Sequence, residues 1–209
     1  PGARLLHVST IAAREPHLSD YAASKRGGED AVRRILGNRA TVIRPPAVYG
    51  PGDPESLVFF KLASGSRVPL AGAPAARATL IHVADLVSLM ASMLQAQDGG
   101  VWTAADARPE GYTWREVFAE AARAVGNPGA KLFQAPMALL RTVALVGDVA
   151  RLLGSASMLN SLKLRELRHP DWSVPVSQWA RPSGWAPWFD LATGFADAVA
   201  WYRKAGWID

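Results

Sequence analysis

The sequence predicts an α/β protein in which parallel strands alternate with helices. Arg4 to Ser9 (RLLHVS) is a short apolar run rich in β-forming residues, which indicates a buried strand. Ser19 can cap a helix from about 20 to 36, and Thr41 to Ile43 is the next apolar run. A strand, a helix and a strand of these lengths form a βαβ unit, whose two strands are parallel and joined by a right-handed crossover.

The rest of the chain continues this alternation. The further predicted elements are a helix at 56–64, a strand at 80–83, a helix at 84–95, a strand at 101–104, a helix opened by a Thr113/Glu116 capping box, and a helix at 191–204. In the first helix, the apolar face is expected at Ala31, Val32, Ile35 and Leu36.

A very apolar segment occupies residues 136–154. Arg141, Asp148 and Arg151 interrupt it, so the segment predicts a pair of packed helices and not an integral membrane span. The alternative interpretation is a lid, a dimer contact or a membrane-facing patch, which would suit a lipophilic substrate.

Composition narrows the class of protein. The 209 residues are 49% hydrophobic and 20% charged, which suits a globular domain with a core. The net charge is +5, but Lys and Arg are scattered and no recognition motif accompanies them, so nucleic-acid binding is not expected. The absence of cysteine excludes disulfides and thiolate catalysis and permits a cytoplasmic location. His7 and His169 lack metal-ligand partners at suitable spacing, so no metal is expected.

Tyr21 and Lys25 are the residues that indicate a reaction. They are four positions apart in the predicted helix, so their side chains share one face. A fixed ammonium beside a phenol favours the phenolate, which lets a tyrosine exchange a proton with a substrate hydroxyl or carbonyl at neutral pH. Thr10, at the end of the preceding strand, offers a hydroxyl to the same substrate oxygen. Ligands of parallel sheets bind at the carboxyl ends of strands, where we expect these three side chains to meet.

Two later stretches place this pair in a recognisable context. The second strand runs directly into R-P-P-A-V-Y-G-P-G-D at 44–53, and I-H-V-A-D-L follows at 81–86. Together with the tyrosine, lysine and threonine above, they resemble the extended short-chain dehydrogenases, the NAD-dependent epimerase/dehydratase family. The resemblance covers essentially the whole chain and is most specific in its first 55 residues.

The resemblance implies a fold and its division. The fold would be α/β, the C-terminal part of a Rossmann-like parallel sheet with a smaller, mostly helical substrate domain. Residues 1–50 and about 80–105 would form the Rossmann-like portion, and about 51–79 and 106–209 the substrate-binding domain.

The resemblance also implies roles for individual residues. Tyr21 is the expected acid/base, Lys25 tunes it and binds the nicotinamide ribose, and Thr10 holds the substrate oxygen. Further cofactor contacts are expected at the end of the first strand and in the loop after the second, namely Ser9, Pro45, Pro46 and Val48. The implied cofactor is NAD or NADP.

One departure from the family concerns the cofactor. No G-x-x-G-x-x-G or G-x-G-x-x-G stretch occurs, although the family uses such a loop to hold the pyrophosphate. The residue that selects NAD or NADP, after the second strand of such a sheet, is absent as well. We therefore expect that roughly 100 residues of the natural protein precede Pro1, and that this chain alone is inactive and binds cofactor weakly or not at all.

Two further departures concern the substrate. Thr10 and Tyr21 are only eleven residues apart, a shorter connection than sugar-nucleotide epimerases usually have. Those enzymes often place a diphosphate-binding arginine four residues before the histidine of I-H-V, where this chain has Ala78. Arg77 is one residue off and binds substrate only if a bulge restores the contact; otherwise it is a surface arginine. Arg168 is the expected second arginine of such a site.

These observations leave three functions open. The first is an NAD(P)-dependent epimerase or dehydratase acting on a hydroxyl or carbonyl carbon of a nucleotide sugar. The second is a ketone reductase or dehydrogenase of hydroxysteroid or flavonoid-like type, favoured by the short loop, the displaced Arg77 and the apolar 136–154 segment. The third is a non-catalytic cofactor-binding or assembly subunit. The expected partners are a small-molecule substrate and, as one assembly option, a second copy in a homodimer.

Overall fold

A computed structural model describes residues 4–95, 99–152 and 160–209. The elements among them, in chain order, are β1 (Leu5–Val8), α1 (Asp20–Leu36), β2 (Ala40–Arg44), β3 (Ala47–Tyr49), α2 (Pro54–Ala63), β4 (Arg67–Leu70), β5 (Arg77–Ala78), β6 (Leu80–His82), α3 (Val83–Gln95), β7 (Gly100–Thr103), β8 (Tyr112–Thr113), α4 (Trp114–Ala124), β9 (Lys131–Gln134), α5 (Met137–Leu152), α6 (Ser161–Leu167), β10 (Asp171–Trp172) and α7 (Leu191–Lys204).

The central sheet consists of three parallel strands in the order β1, β2, β7. Its register pairs Val42 with His7 on one side and with Val101 on the other. β2 lies in the middle and is buried along its whole length, whereas Leu5 and Val8 of β1 are about two-fifths exposed. Among the described residues, β1 pairs with no strand other than β2.

Helices cover both faces of this sheet. Alternate residues of a strand point to opposite faces, so Leu6 and Ile43 lie on one face and Ser9 and Arg44 on the other. The first pair packs in one buried cluster with Leu89 of α3. The second pair contacts α1 instead. The result is a three-layer α/β/α arrangement, which positions the carboxyl ends of all three strands at one edge.

The remaining elements build a second hydrophobic core. Helices α2, α4 and α7 pack together against Tyr49 of β3 and Leu80 of β6, with Phe60, Phe195 and Tyr202 fully buried among them. β3 pairs with β6, β4 pairs with β9, and β5 lies between β10 and β8. These short strands attach the second core to the loops that follow the central sheet.

The fold class predicted from the sequence is confirmed, since the structure is α/β with parallel strands and helices on both faces. The predicted helices at 20–36 and 191–204 are observed with those bounds, and the Thr113/Glu116 capping box opens α4. None of the helices among the described residues is long and apolar enough to cross a membrane.

Two local predictions were wrong. The apolar segment was expected to form a pair of helices, but α5 runs unbroken through its described part; residues 153 and 154 lie outside the described residues. A single buried glycine, Gly147, does not interrupt a helix that contains no proline. In α1 the fully buried side is formed by Ala22 and Glu29, while Ile35 is 74% exposed. The side of α1 that faces the sheet carries Ala22 and Glu29 and does not include Ile35.

Candidate active site

Tyr21 and Lys25 lie in the first two turns of α1, shortly after the carboxyl end of β1. Tyr21 is 53% exposed, and Lys25 Nζ lies 5.9 Å from the centroid of its ring. Among the described residues, the Tyr21 hydroxyl has no hydrogen-bond partner and no carboxylate lies within ion-pair distance of Lys25. Both polar groups are therefore available to a ligand.

Thr10 lies at the same end of the sheet. Its hydroxyl oxygen accepts a hydrogen bond from the Ala12 N–H at 3.3 Å and so caps a short 3-10 helix at Ile11–Arg14. Ala22 of α1 packs with Ile11 and Ala12 in one buried cluster, which holds the first turn of α1 against the turn after Thr10. The Thr10 hydroxyl keeps its proton for donation to a ligand.

A buried carboxylate beneath this surface was not identified from the sequence. Glu29 is 1% exposed and accepts two hydrogen bonds from Arg44, from Nε at 2.8 Å and from Nη2 at 2.6 Å. The Ser9 hydroxyl donates to the same carboxylate at 2.5 Å. This network joins the ends of β1 and β2 to the middle of α1. The signal that could have found it is the spacing of seven residues from Ala22 to Glu29, which places both on one helix face.

The network also defines what Ser9 can do. Its hydroxyl is used by Glu29 and its N–H donates to the Ile43 carbonyl at 2.8 Å. Both donors of Ser9 are therefore in use, and a cofactor contact would have to use one of its acceptors, the carbonyl or the hydroxyl oxygen.

The loop after β2 lies beside the end of β1. Pro45 and Pro46 are buried, and the Pro45 carbonyl accepts a hydrogen bond from the Ile11 N–H at 2.8 Å. Val48 is half-buried in β3, paired with Ile81 of β6. The structure thus brings this loop to the strand end that carries Thr10, whereas Val48 lies in the separate β3–β6 pair.

The two arginines predicted for substrate both donate to backbone carbonyls. Arg77 Nη1 donates to Gly111 at 3.1 Å, and Arg168 Nη1 donates to Ala71 at 3.2 Å. They lie near each other in the fold, since the Arg77 N–H donates to the Pro170 carbonyl. No bulge occurs in β5, where Arg77 and Ala78 pair in register with β10.

Residues 166–173 form hydrogen bonds with residues just before α1. The Ser19 hydroxyl, which caps α1 through the Ala22 N–H, donates to the Glu166 carboxylate at the end of α6. Arg14 donates to the Ser173 carbonyl at 2.5 Å and to the Asp171 carbonyl at 3.0 Å. Ser19, two residues before Tyr21, is thereby bonded to α6.

Asp106 is a second buried carboxylate, just beyond β7. It accepts hydrogen bonds from the Tyr112 hydroxyl at 2.7 Å and the Arg108 N–H at 2.8 Å. Burial raises the pKa of Asp106 to about 6, and these two hydrogen bonds oppose the rise. Burial also raises the pKa of Tyr112. Among the described residues, no hydrogen bond joins Asp106 or Tyr112 to Tyr21, Lys25 or Thr10.

His82, in the I-H-V stretch, packs between aromatic rings. Its ring centroid lies 3.9 Å from that of Phe189 and 5.5 Å from that of Tyr49. Nδ1 accepts a hydrogen bond from the Ala84 N–H, and Nε2 lies 3.2 Å from an Asp197 carboxylate oxygen. Burial lowers the pKa of His82, which favours the neutral ring. These contacts give His82 a packing role between α3 and α7.

A parallel sheet with helices on both faces, carrying a Tyr-x-x-x-Lys helix at the strand ends, defines a Rossmann-like protein of the short-chain dehydrogenase type. The model of the NAD dependent epimerase/dehydratase family matches residues 7–105, and this part of the chain belongs to that family. The predicted family is confirmed, and the NAD dependence in its description agrees with the predicted cofactor.

Known proteins resemble the chain over nearly its whole length. A protein of Caulobacter vibrioides named ceramide reductase is 40% identical over 207 residues, which are 99% of this chain and 64% of that protein. The chain thus spans less than two thirds of this relative.

Solved structures show the same fold. The dTDP-glucose 4,6-dehydratase DesIV of Streptomyces venezuelae, a double mutant with NAD bound, superposes with a TM-score of 0.65 at 25% identity, over 98% of this chain and 62% of that one. The dTDP-glucose 4,6-dehydratase of Bacillus anthracis, in complex with NAD, gives a TM-score of 0.65 at 18% identity, over 96% and 62%.

Proposed function

We propose that the complete protein containing this chain is an NAD(P)-dependent reductase that acts on a carbonyl carbon of a lipid-like substrate. The observation that carries the proposal is the open Tyr21/Lys25 pair at the carboxyl end of β1, in a chain 40% identical to a protein named ceramide reductase. The two enzymatic candidates share one description, an oxidoreductase-type member of the epimerase/dehydratase family. The non-catalytic candidate does not share it.

The residues around β1 fit a nicotinamide cofactor. Lys25 has no carboxylate partner among the described residues, so its ammonium can donate to the two hydroxyls of a ribose. Tyr21 lies beside it, and the loop from Pro45 to Val48 would border the nicotinamide ring. When bound, the cofactor supplies the hydride that reduces the carbonyl carbon.

Three side chains of this chain would handle the substrate oxygen. The Tyr21 hydroxyl would donate its proton to the carbonyl oxygen as that oxygen gains negative charge. Lys25, 5.9 Å from the Tyr21 ring centroid, would stabilise the phenolate that remains. Thr10 would donate a second hydrogen bond to the same oxygen, because its hydroxyl only accepts from the Ala12 N–H and so keeps its proton for a ligand.

Glu29 would act indirectly, from the buried side of α1. By binding Arg44 and the Ser9 hydroxyl, it holds the strand end and α1 at a constant distance. It is a positioning residue in this proposal, since it touches neither substrate nor cofactor.

A nucleotide-sugar epimerase or dehydratase is the second candidate. Without a bulge in β5, Arg77 stays one residue off, so this candidate would depend on Arg168, which is half-buried and retains donors beyond the one used by the Ala71 carbonyl. The match to the reductase of Caulobacter vibrioides favours the first candidate, because it is the more similar protein over the same residues.

A cytoplasmic location and a homodimer remain predictions.

Turnover by the complete protein separates these candidates. Oxidation of NADH or NADPH would be followed with a long-chain keto-amide lipid, and UDP-glucose and dTDP-glucose binding would be measured by calorimetry. Oxidation with the lipid ketone alone supports the proposal. Sugar-nucleotide binding without lipid turnover supports the second candidate, and cofactor binding without any turnover supports a non-catalytic subunit.

A further inference from the structure

The stretch of chain between Thr10 and Tyr21 is held by residues 166–173. Arg14, within this stretch, donates hydrogen bonds to two backbone carbonyls of that segment. The ring of Trp172 packs in one buried cluster with side chains from the beginning and the end of the stretch. In the proposed reductase Thr10 and Tyr21 reach the same substrate oxygen, so whatever holds this stretch helps to set their separation.

Glu166 makes the polar contact between this segment and the start of α1. Its carboxylate accepts a hydrogen bond from the hydroxyl of Ser19. The same hydroxyl oxygen caps α1 by accepting the Ala22 N–H at 3.1 Å, and Ser19 is only 7% exposed. Tyr21 is the second residue of the helix that this cap begins. One carboxylate therefore binds the group that caps the first turn of α1.

The direction of these two hydrogen bonds gives Glu166 a specific task. A serine hydroxyl has one proton and two lone pairs. Because the proton goes to Glu166, the Ser19 side chain stays in the rotamer in which a lone pair faces the Ala22 N–H. Without this acceptor the side chain would be free to turn to other staggered rotamers, and the Ala22 N–H would lose its partner.

Glu166 is itself held by contacts other than those with α1. The indole N–H of Trp172 donates to the Glu166 carbonyl at 2.9 Å. Leu164 of the same helix, α6, is buried against two residues of α5. Arg168, the residue after α6, donates to the Ala71 carbonyl at 3.2 Å. The carboxylate that orients Ser19 is thus presented by a packed part of the chain.

We propose that Glu166 is a positioning residue for Tyr21, and that it acts through Ser19. By fixing the cap of α1, it holds the Tyr21 hydroxyl where this group and the Thr10 hydroxyl reach one substrate oxygen. The catalytic consequence rests on the proposed reductase. The local consequence, a firmly capped first turn of α1, rests only on the contacts of Glu166 and Ser19.

Steady-state kinetics of the complete protein test the catalytic consequence. In Glu166→Ala, kcat with a long-chain keto-amide lipid should fall about tenfold or more, because a small misplacement of a reacting group is costly. KM for the cofactor should stay within about twofold, since Lys25 lies one turn further along α1. Glu166→Gln keeps an acceptor oxygen and should restore kcat, whereas Glu166→Leu keeps the size alone and should not. Arg165→Ala, an exposed neighbour in α6, is the matched control and should change neither value.

Hydrogen exchange tests the local consequence without any substrate. The Ala22 N–H belongs to the first turn of α1, where N–H groups have no partner within the helix, so its exchange reports the cap directly. Its exchange with deuterium should be about tenfold faster in Glu166→Ala and in Glu166→Leu than in the wild type or Glu166→Gln.

A double-mutant cycle tests whether Ser19 carries the effect. Ser19→Ala removes the cap and should lower kcat, whereas Ser19→Thr keeps a hydroxyl and should leave kcat close to that of the wild type. Glu166→Ala should have no further effect on kcat once Ser19 is alanine, because its partner is already lost.

The outcomes separate this proposal from the reductase. A wild-type kcat in Glu166→Ala would overturn the positioning role, and so would equal losses in Glu166→Gln and Glu166→Ala or additive losses in the cycle. No turnover of the keto-amide lipid by the wild type would contradict the reductase instead. In that case faster Ala22 exchange in Glu166→Leu would support the cap held by Glu166, and unchanged exchange would overturn it.

Discussion

The carboxylate of Glu29 and the guanidinium of Arg44 form a buried, two-point ion pair between the helix that carries Tyr21 and the end of β2. Its hydrogen bonds measure 2.8 and 2.6 Å, and the side chains are 1% and 10% exposed. The pair connects α1 to the middle strand of the sheet, so it sets where the first turns of α1 stand relative to the strand ends.

Glu29→Gln should lower the free energy of unfolding by about 3–5 kcal/mol, because it leaves the buried Arg44 charge without its counter-charge. Urea denaturation measures the change. The matched control is Asp30→Asn, the next residue, whose pair with Arg26 is nearly half exposed and should contribute less than about 1 kcal/mol. Equal losses of unfolding free energy in the two variants would show that burial of the Glu29–Arg44 pair does not increase its contribution to stability.

Tyr21→Phe should lower kcat of the complete protein by about 10²–10⁴-fold, because the ring stays in place and only the proton donor is lost. The hydroxyl has no partner among the described residues, so the melting temperature should stay the same. Steady-state kinetics and thermal unfolding measure the two quantities. A rate equal to that of the wild type would remove Tyr21 from the mechanism.

Asp106→Asn should change how stability depends on pH. The folded-state pKa of Asp106 is about 6, above its ordinary 3.8, so the folded protein holds this proton more tightly than the unfolded chain. Stability from this group is therefore full below about pH 4 and declines as pH rises to about 6, by on the order of 3 kcal/mol. The asparagine variant should lack that decline.

Denaturant unfolding of the wild type and the variant at several pH values between 4 and 7 measures this. As pH rises, the free energy of unfolding of Asp106→Asn should increase relative to that of the wild type. A difference that stays constant over this range would contradict a raised pKa for Asp106. Asparagine keeps the shape of the side chain and can still bond Tyr112, whose hydroxyl can accept as well as donate.

Gly194→Ala should destabilise the second core by roughly 1–3 kcal/mol. A methyl group there would overlap the Tyr49 hydroxyl and lie 2.9 Å from Cζ of its ring. Gly27→Ala is the matched control, because it is also a helical glycine but has no atom within 4 Å of the added carbon. It should stabilise α1 by about 1 kcal/mol. Denaturant unfolding of both variants measures the contrast, and two changes of the same sign would refute the packing argument.

Short-range patterns account for what could be predicted of the fold. The β1, α1, β2 unit followed from two apolar runs and the Ser19 cap, and the capping box at Thr113 located α4. Patterns of two residues at fixed spacing also found Tyr21 and Lys25, because helix geometry alone places i and i+4 side by side. The two-residue strands β5, β8 and β10 could not be predicted, since their pairing depends on partners far away in the chain.

By itself the sequence determined that this protein is α/β, that Tyr21 and Lys25 share a helix face near a strand end, and that a glycine-rich phosphate loop is absent from the chain. Only the tertiary structure decided that Glu29 is buried against Arg44, that Ile35 is exposed and that α5 keeps an apolar side uncovered. The reason is that periodicity states which residues share a side of a helix, whereas burial depends on what the rest of the chain brings to that side.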